Sequence, residues 1–266
     1  MLLTVIVGYA LIILIVAVVQ RQLIYVPTRL DPSVAQATAA QNGFAPWRNV
    51  AGDIIGWRMP AAERSTACVL IVHGNAGFGA DRDYLARPIH DAASVDVFVL
   101  EYPGYGARAG SPSKASFTAA AEEAFASLPS GLPCYVVCES IGAGVGTHLA
   151  RMHPQEIAGL ALFVPYHRLA WVAQRQMPWL PAGWLLRDRF APEDDLKSYH
   201  GPVKIIVAEK DEIIPAEAGQ RLYESYGGPK NLLVVPGARH NEVAEQPPEW
   251  WRGVFAFWQT NAPATK

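Results

Sequence analysis

Residues 134–144 read CYVVCESIGAG, and this stretch decides the fold because it joins a strand to a helix through one serine. Its first five residues are a continuous apolar run, which suits a strand buried on both faces of a sheet. A helical stretch begins at Ile141 and extends to Met152. At such a turn a serine projects its hydroxyl above the edge of the sheet, although a serine at a helix start is also a common cap. We therefore predict that Ser140 is a nucleophile at the carboxyl end of a strand.

Five further apolar runs of strand length occur along the chain, at residues 67–72, 95–102, 157–164, 203–208 and 231–235. Candidate helices lie between them, for example the alanine- and glutamate-rich stretch after Ser113. Strands that alternate with helices in this way form parallel sheets with helices on both faces. The sequence therefore predicts an α/β fold, with one doubly wound domain and a mostly parallel central sheet flanked by helices.

One segment, residues 166–199, breaks this alternation. It is too long for a single crossover helix and carries Pro178 and Pro181, so we predict an inserted lid. Its apolar side chains follow the carboxyl end of a strand, where we expect them to cover a substrate and to set which acyl chains are accepted. The residues of this cluster are Trp171, Met177, Trp179, Leu180, Trp184 and Leu185. Packing of the lid onto the domain is the alternative role for them.

Composition and charge exclude several classes of protein. The chain has 266 residues, 51% of them apolar, and a formal net charge of -2 from 22 basic and 24 acidic groups. This balance excludes a strongly basic nucleic-acid binder and an acidic disordered tail. The three cysteines are too few for a disulfide framework, and the histidines show no metal-ligand spacing such as H-E-x-x-H. We expect no nucleic-acid partner, no metal and no other cofactor.

The N-terminus contains a long uncharged segment, residues 2–19, which is long enough for a membrane-spanning helix. No basic residue precedes it and no small-x-small cleavage site follows it, so an uncleaved anchor over residues 1–22 fits better than a signal peptide or a buried helix. Residues 23–266 would then form the α/β domain. Arg21 and Arg29 follow the segment, so the positive-inside rule favours a cytoplasmic domain, although so few charges leave the side of the membrane open.

Two further polar residues follow strand signals near the C-terminus. Asp211 comes after the run at 203–208, and His240 comes after the run at 231–235. In an open parallel sheet, groups past the carboxyl ends of strands face the ligand crevice, where Ser140 is also expected. The order serine, aspartate, histidine matches one known order of a catalytic triad. Each residue alone would be an ordinary loop residue, but their joint placement favours catalysis.

The three residue types have complementary chemistry. His240 would take the proton of the Ser140 hydroxyl, while Asp211 would hold the imidazole in the required tautomer and stabilise its charged form. The oxyanion that forms next needs N–H donors. We predict that these are the backbone N–H groups of Ile141, at the helix start, and of Asn75, in the turn HGNAG.

The HGNAG turn, the sequence EYPGYG at 101–106, the serine turn, Asp211 and His240 together resemble the α/β-hydrolase superfamily. More narrowly, the apolar N-terminus, the following RQLIYVPTR sequence and the Y-P-G-Y-G loop are similar to those of membrane-anchored serine hydrolases, a group that includes acyl-protein thioesterases and lipid-directed esterases. The resemblance implies the α/β-hydrolase fold and cleavage of a small-molecule or lipid acyl ester or thioester through an acyl-enzyme. Two positions depart from the family pattern: Cys138 stands where the first glycine of G-x-S-x-G is usual, and Glu101 stands where aspartate is usual.

Several alternatives stay open from the sequence. An aminopeptidase or amidase uses the same triad, with a further group for a substrate amine or a leaving nitrogen. A non-catalytic binding module tethered to the membrane would result if Cys138 distorted the serine turn. A haloperoxidase-like side activity would need the same residues. Asp194 and Asp195 are rival candidates for the acid of the triad, and the sequence identifies neither the acyl chain nor the leaving group.

Overall fold

The computed structural model of the protein describes residues 1–262, and residues 263–266, the end of the predicted domain, lie outside that range. The strands are β1 (Val26–Pro27), β2 (Ala45–Arg48), β3 (Ile54–Met59), β4 (Ala67–Val72), β5 (Ala76–Gly77), β6 (Val95–Leu100), β7 (Cys134–Glu139), β8 (Ile157–Phe163), β9 (Val203–Ala208) and β10 (Lys230–Val235). The α-helices are α1 (Leu2–Ile24), α2 (Pro32–Gln41), α3 (Asp83–Ala92), α4 (Lys114–Ala126), α5 (Gly142–Met152), α6 (Leu169–Gln176), α7 (Ala182–Leu185), α8 (Pro192–Asp195), α9 (Ala216–Ser225) and α10 (Pro248–Thr260).

Eight strands form one sheet in the order β10-β9-β8-β7-β4-β6-β3-β2. The pairs from β10 to β6 are parallel, whereas β6 with β3 and β3 with β2 are antiparallel at one edge. The six apolar runs of the sequence form the six strands of this sheet that pair in parallel, with ends that agree to within two residues. The predicted α/β fold with a mostly parallel central sheet is therefore confirmed.

The sheet is covered by helices on both faces, which explains why its central strands are apolar throughout. Every residue of β4 and β6 is buried. Leu70 packs in the cluster that includes residues of α4, α5 and α9, and its neighbour Ile71 packs in the cluster that includes residues of α2, α3 and α10. Successive side chains of a strand point to opposite faces, so a strand covered on both sides needs an apolar residue at every position.

The N-terminal segment forms one helix, α1, which continues to Ile24, two residues past the predicted anchor 1–22. Within residues 1–262 it is the one helix that is long and apolar enough to cross a membrane, judged by length and composition. Its first half is exposed, but its last turns dock on the domain. There Gln20 is buried, and Arg21 forms an ion pair with Asp188 through two hydrogen bonds of 2.9 and 3.1 Å. The helix is thus a candidate membrane anchor whose end is part of the domain.

Between β8 and β9 the chain forms α6, α7 and α8 instead of a single crossover helix. This is the segment predicted as a lid over residues 166–199. α8 packs on α5, while α6 and α7 contact one another. The segment also contacts α1, through the Arg21–Asp188 pair described above. Its function as a lid stays a prediction.

Candidate active site

Ser140 lies at a sharp turn between β7, which ends at Glu139, and α5, which begins at Gly142. Its φ of 52° is in the left-handed region, which is strained for a residue other than glycine and is often found at functional turns. The Ser140 N–H donates to the carbonyl oxygen of Phe163 (2.9 Å), which holds the turn. A β-carbon at Gly142 would overlap the carbonyl oxygen of Val72, so the turn requires glycine there. The backbone therefore presents the serine at the carboxyl edge of the sheet.

Cys138, which replaces the usual glycine two residues before the serine, is accommodated by the helix. Its side chain is fully buried, and burial raises the pKa of its thiol. It faces Gly146 on α5, where a β-carbon would overlap Cys138 Sγ. The absence of a side chain at Gly146 thus makes room for the sulfur, and the serine turn keeps its strand-to-helix geometry.

The structure brings the three predicted triad residues, Ser140, Asp211 and His240, together in one chain of hydrogen bonds. His240 Nε2 lies 3.1 Å from Ser140 Oγ, and His240 Nδ1 lies 2.7 Å from Asp211 Oδ2. The Asp211 carboxylate also accepts from the N–H groups of Ile213 (2.9 Å) and Ile214 (2.7 Å), which fix its position. With Nδ1 donating to the carboxylate, Nε2 is left as the acceptor for the serine hydroxyl. The side chains of Asp211 and His240 are 1% and 7% exposed, so little water competes for these bonds.

The two rival carboxylates are paired with arginines elsewhere. Asp195 accepts a hydrogen bond from Arg151 Nε (3.0 Å), and Asp194 lies 2.8 Å from the guanidinium of Arg168. Within residues 1–262 the imidazole of the triad forms its carboxylate hydrogen bond with Asp211. The geometry therefore favours Asp211 as the acid.

Both predicted oxyanion donors line the same cavity as the serine. The backbone N–H groups of Asn75 and Ile141 have no acceptor among the residues that the structure describes, which leaves both available to a ligand. The Asn75 side chain holds its own turn in place: Oδ1 accepts from the Val26 N–H (3.3 Å), and Nδ2 donates to the carbonyl oxygen of Ile24. The turn HGNAG is thus joined directly to the end of α1.

Glu139, immediately before the serine, is a residue that the sequence did not identify. Its Oε2 accepts from the Gly74 N–H (3.0 Å) and its Oε1 accepts from the Tyr84 hydroxyl (2.7 Å). Arg82 Nε lies 3.7 Å from the same carboxylate, and the Arg82 guanidinium donates to the carbonyl oxygen of Ala76. These contacts tie the oxyanion turn to the serine turn. No local pattern marks Glu139, because it occupies a free position of the motif and its partners are distant in sequence.

A buried pair, His73 and Glu101, lies next to the oxyanion turn. His73 Nδ1 lies 2.8 Å from the carbonyl oxygen of Gly74 and donates to it, while His73 Nε2 lies 3.9 Å from Glu101 Oε1 and has no hydrogen-bond partner within residues 1–262. Glu101 accepts from Trp57 Nε1 and from the Gly79 N–H, both at 2.9 Å. Burial lowers the pKa of His73 and raises the pKa of Glu101 to about 7. Glu101 is therefore a core carboxyl whose burial favours its neutral form.

The triad opens into a cavity of about 920 Å³ whose lining falls into two groups. The apolar group includes Leu23, Ile24, Val26, Leu169, Val172, Ala173, Met177, Leu186, Ile213 and Ile214. The polar group includes Asp81, Arg82, Tyr84, Glu139, Gln176, Asn241 and Glu245. A cavity of this size with a largely apolar lining suits a small ligand that carries an acyl chain. Among residues 1–262 there is no cluster of histidine, cysteine and acidic side chains suited to a metal ion.

The apolar cluster predicted within the insertion divides between the cavity and the surface. Met177 lines the cavity and Leu180 is buried, but Trp179 and Trp184 are 60% and 77% exposed and do not line it. The expectation that these tryptophans cover the acyl chain is therefore wrong. It rested on hydrophobicity, which does not tell which side chains of a short helical segment turn inward.

The chain resembles several known proteins in sequence, although no protein-family model matches it. It is 34% identical over 230 residues to the uncharacterized protein Rv2307c of Mycobacterium tuberculosis, a match that covers 84% of this chain and 81% of that protein. It is 27% identical over 233 residues to the lysophosphatidylserine lipase ABHD12 of Xenopus tropicalis. That match covers 76% of this chain but 60% of the lipase, so the chain corresponds to only part of the lipase's length.

Solved structures of two esterases superpose on most of the chain. The esterase Pf2001 of Pyrococcus furiosus has a TM-score of 0.64 at 18% identity, and the match covers 90% of this chain and 98% of the esterase. Est1E of Butyrivibrio proteoclasticus, with bound ferulic acid, has a TM-score of 0.64 at 17% identity over 77% of this chain and 95% of its own. At these identities the likeness establishes a shared fold.

Proposed function

Since this chain belongs to the α/β-hydrolase superfamily, we propose that it is a membrane-anchored serine hydrolase that cleaves carboxylic ester or thioester bonds of acyl substrates through an acyl-enzyme. The observation that carries the proposal is the chain of hydrogen bonds from Ser140 Oγ to His240 (3.1 Å) and from His240 to Asp211 (2.7 Å). It is supported by the left-handed conformation of the serine and by the largely apolar cavity into which the serine opens. Relatives that are named as lipases and esterases agree with this reaction class.

The first half of the proposed reaction forms the acyl-enzyme. His240 Nε2 removes the hydroxyl proton while Ser140 Oγ bonds to the carbonyl carbon of the substrate, and the electron pair of the C=O bond moves onto oxygen. The N–H groups of Asn75 and Ile141 donate to this oxyanion. Asp211 stabilises the imidazolium. When the carbonyl re-forms, the bond to the leaving oxygen or sulfur breaks, and His240 returns its proton to the leaving group.

The second half of the reaction releases the acid. A water molecule takes the position of the leaving group, and His240 removes its proton as the oxygen bonds to the acyl carbon. The second oxyanion then collapses, which breaks the bond to Ser140 Oγ and returns the proton to the serine. The net reaction is hydrolysis, with no change of oxidation state and no requirement for another reactant.

Domain organisation follows the same proposal. Residues 1–22 would be a single-pass anchor, residues 23–266 the hydrolase domain, and residues 166–199 its lid. The exposed apolar surface of α1 supports the anchor. We favour a cytoplasmic domain because Arg21 and Arg29 follow the segment. Full-length protein should resist extraction from membranes by high salt, and recovery of a native N-terminus beyond residue 19 would instead indicate a cleaved signal.

A panel of matched substrates tests the reaction class. Purified full-length protein in detergent would be given an ester, a thioester and an amide of the same hexanoyl group, together with the Ser140→Ala variant and Ser198→Ala, an exposed serine, as the control. We expect hydrolysis of the ester or the thioester by wild type and Ser198→Ala, and none by Ser140→Ala. Faster cleavage of the amide would favour an amidase, and no cleavage of any substrate would favour a binding module.

A further inference from the structure

We propose that the outer surface of the insertion lies in the lipid interface of the membrane and that the acyl substrate enters the cavity directly from the bilayer. This surface, here called the lid surface, consists of Arg175, Trp179, Trp184, Arg187 and Arg189. The inference rests on the proposed function for the identity of the substrate and on α1 as the anchor. The occupant to which it commits is a bilayer that contains anionic lipid.

The insertion is attached to the candidate anchor by partly buried hydrogen bonds. Gln20 is 5% exposed, its Oε1 accepts from the Arg187 N–H (2.7 Å), and its Nε2 donates to the carbonyl oxygen of Leu185 (3.3 Å). At the next residue of each segment, Asp188 accepts from Arg21 at 2.9 and 3.1 Å, and it also accepts from the Tyr25 hydroxyl at 3.1 Å. The insertion is thus held beside α1, so a membrane that contains α1 lies next to it.

One further contact lies nearer the start of the helix. The Tyr9 hydroxyl donates to the carbonyl oxygen of Trp179 (2.8 Å), so the lid surface also reaches the apolar half of α1. In that half the side chains are exposed, Leu11 by 55% and Leu14 by 60% for example. At this point the lid surface is therefore adjacent to the exposed apolar part of α1.

The side chains of the lid surface are those of a membrane interface. Trp179 and Trp184 are exposed, and tryptophan is enriched where the acyl chains of a bilayer meet the headgroups. Three arginines accompany them, all of them exposed residues, of which Arg175 also lies 3.9 Å from the carboxylate of Glu217. Between residues 169 and 187 there is no acidic residue. Cationic groups attract anionic lipid, whereas a water-facing surface rarely carries two exposed tryptophans beside an apolar helix.

The mouth of the cavity lies at the same place. Leu23, Val26 and Ile213 both line the cavity and are exposed, by 53%, 55% and 46%, so they form its rim. Leu23 belongs to α1 itself. Further inside, Leu169 and Met177 continue the apolar lining. An acyl chain that moves from lipid across this rim keeps its methylene groups out of water throughout.

The first test measures contact with lipid and does not depend on activity. Full-length protein would be placed in phosphatidylcholine vesicles with one quarter phosphatidylglycerol, in which the acyl chains are brominated and quench nearby tryptophan. α1 contains no tryptophan, and Trp47, Trp57, Trp251 and Trp258 are buried. Trp171 and Trp250 are half-buried, so the quenched emission should come mainly from the two exposed tryptophans of the lid surface. We expect the quenchable fraction to fall by about half in Trp179→Phe or Trp184→Phe and nearly to vanish in the double variant.

The second test separates entry from chemistry. In the same vesicles without bromine, hydrolysis of a bilayer-resident oleoyl monoester is compared with that of water-soluble p-nitrophenyl butyrate. The variant Trp179→Ser/Trp184→Ser should lose roughly tenfold in kcat/KM on the oleoyl ester and less than about twofold on the soluble ester. The matched control, Val50→Ser/Met152→Ser, removes two exposed apolar side chains elsewhere and should change neither rate.

Three results would overturn the proposal. The first is quenching of tryptophan emission that is the same in wild type and in the tryptophan variants. The second is an equal loss of kcat/KM on the oleoyl ester and on the soluble ester. The third is conversion of a dimer to a monomer by the double variant, which would assign the lid surface to a second copy of the chain. Failure of wild type to hydrolyse either ester would instead contradict the proposed function, while the quenching test would still report on the membrane contact.

Discussion

Cys138 and Gly146 form a complementary pair between β7 and α5, because the cysteine sulfur occupies the space that a side chain at Gly146 would need. Cys138 is the position at which this chain departs from the G-x-S-x-G pattern. The pair explains how a larger residue fits two positions before the serine while the serine keeps its φ of 52°. The presence of cysteine at position 138 therefore requires glycine at position 146.

This pairing predicts an unusual effect of a glycine-to-alanine change in a helix. Gly146→Ala should lower the free energy of unfolding by roughly 1–3 kcal/mol, because the new methyl group overpacks the sulfur. Cys138→Ala in the same chain should recover most of the loss. Unfolding in urea would measure both variants. Gly253→Ala is the control, since it lies in α10 with no atom near its β-position and should gain stability. Equal changes in the free energy of unfolding in Gly146→Ala and Gly253→Ala would contradict the pairing.

The acid of the triad is tested by three asparagine variants. Asp211→Asn should lower kcat by roughly 10³–10⁴, because an amide at this position favours the wrong tautomer of His240. Asp194→Asn and Asp195→Asn should stay within about tenfold of wild type, since their partners in the structure are arginines. Steady-state hydrolysis of a soluble ester measures all three. An active Asp211→Asn beside an inactive Asp195→Asn would show that the acid is misassigned.

Acyl-chain preference should depend on the cavity lining and not on the exposed tryptophans. For p-nitrophenyl esters, kcat/KM should rise from acetate to about hexanoate, because each buried methylene contributes about 0.8 kcal/mol. Ala173→Leu adds bulk to the lining and should reduce the advantage of hexanoate over acetate. Trp179→Ala should leave the trend unchanged, because the indole lies outside the cavity. A trend that Trp179→Ala flattens and Ala173→Leu leaves intact would reverse this assignment.

Stability should depend on pH through Glu101. Burial raises the pKa of this carboxyl from the ordinary 4.5 to about 7, so the folded protein binds the proton more tightly than the unfolded chain does. Its stabilising effect is then fully present below about pH 4.5 and is lost as the pH rises through about 7, a change of about 3 kcal/mol at most. The free energy of unfolding of wild type minus that of Glu101→Gln should fall over this range. A difference that is constant with pH would contradict the prediction.

The sheet and the proximity of Ser140, Asp211 and His240 could be predicted from sequence because their signals are local. A strand buried on both faces is apolar at every position, and a residue just past its carboxyl end lies at the edge of the sheet that faces the ligand crevice. The order of strands in the sheet then brings Asp211 and His240 to Ser140. The prediction that Asn75 lies at the site used the same rule for β4, and the residue lines the same cavity as Ser140.

The remaining contacts depend on tertiary structure between distant residues. Arg21 and Asp188 are 167 positions apart, and no periodicity links them. The same holds for Glu139, whose partners lie on other elements. Trp179 and Trp184 were assigned to the wrong side because large apolar residues also occur on the surface of a protein, and their sequence positions do not distinguish the two locations. The sequence thus identified which residues are apolar, but it did not show which of them lie in the core and which lie on the surface.

The central claim is that Ser140 is the nucleophile, and labelling with an alkyl fluorophosphonate tests it most directly. The probe forms a covalent bond with a serine that an adjacent base activates. In full-length protein we predict one modified residue, Ser140, with labelling and hydrolysis lost together in Ser140→Ala and labelling strongly slowed in His240→Ala. Modification of a different serine, or a Ser140→Ala variant that still labels and still hydrolyses the ester, would contradict the account.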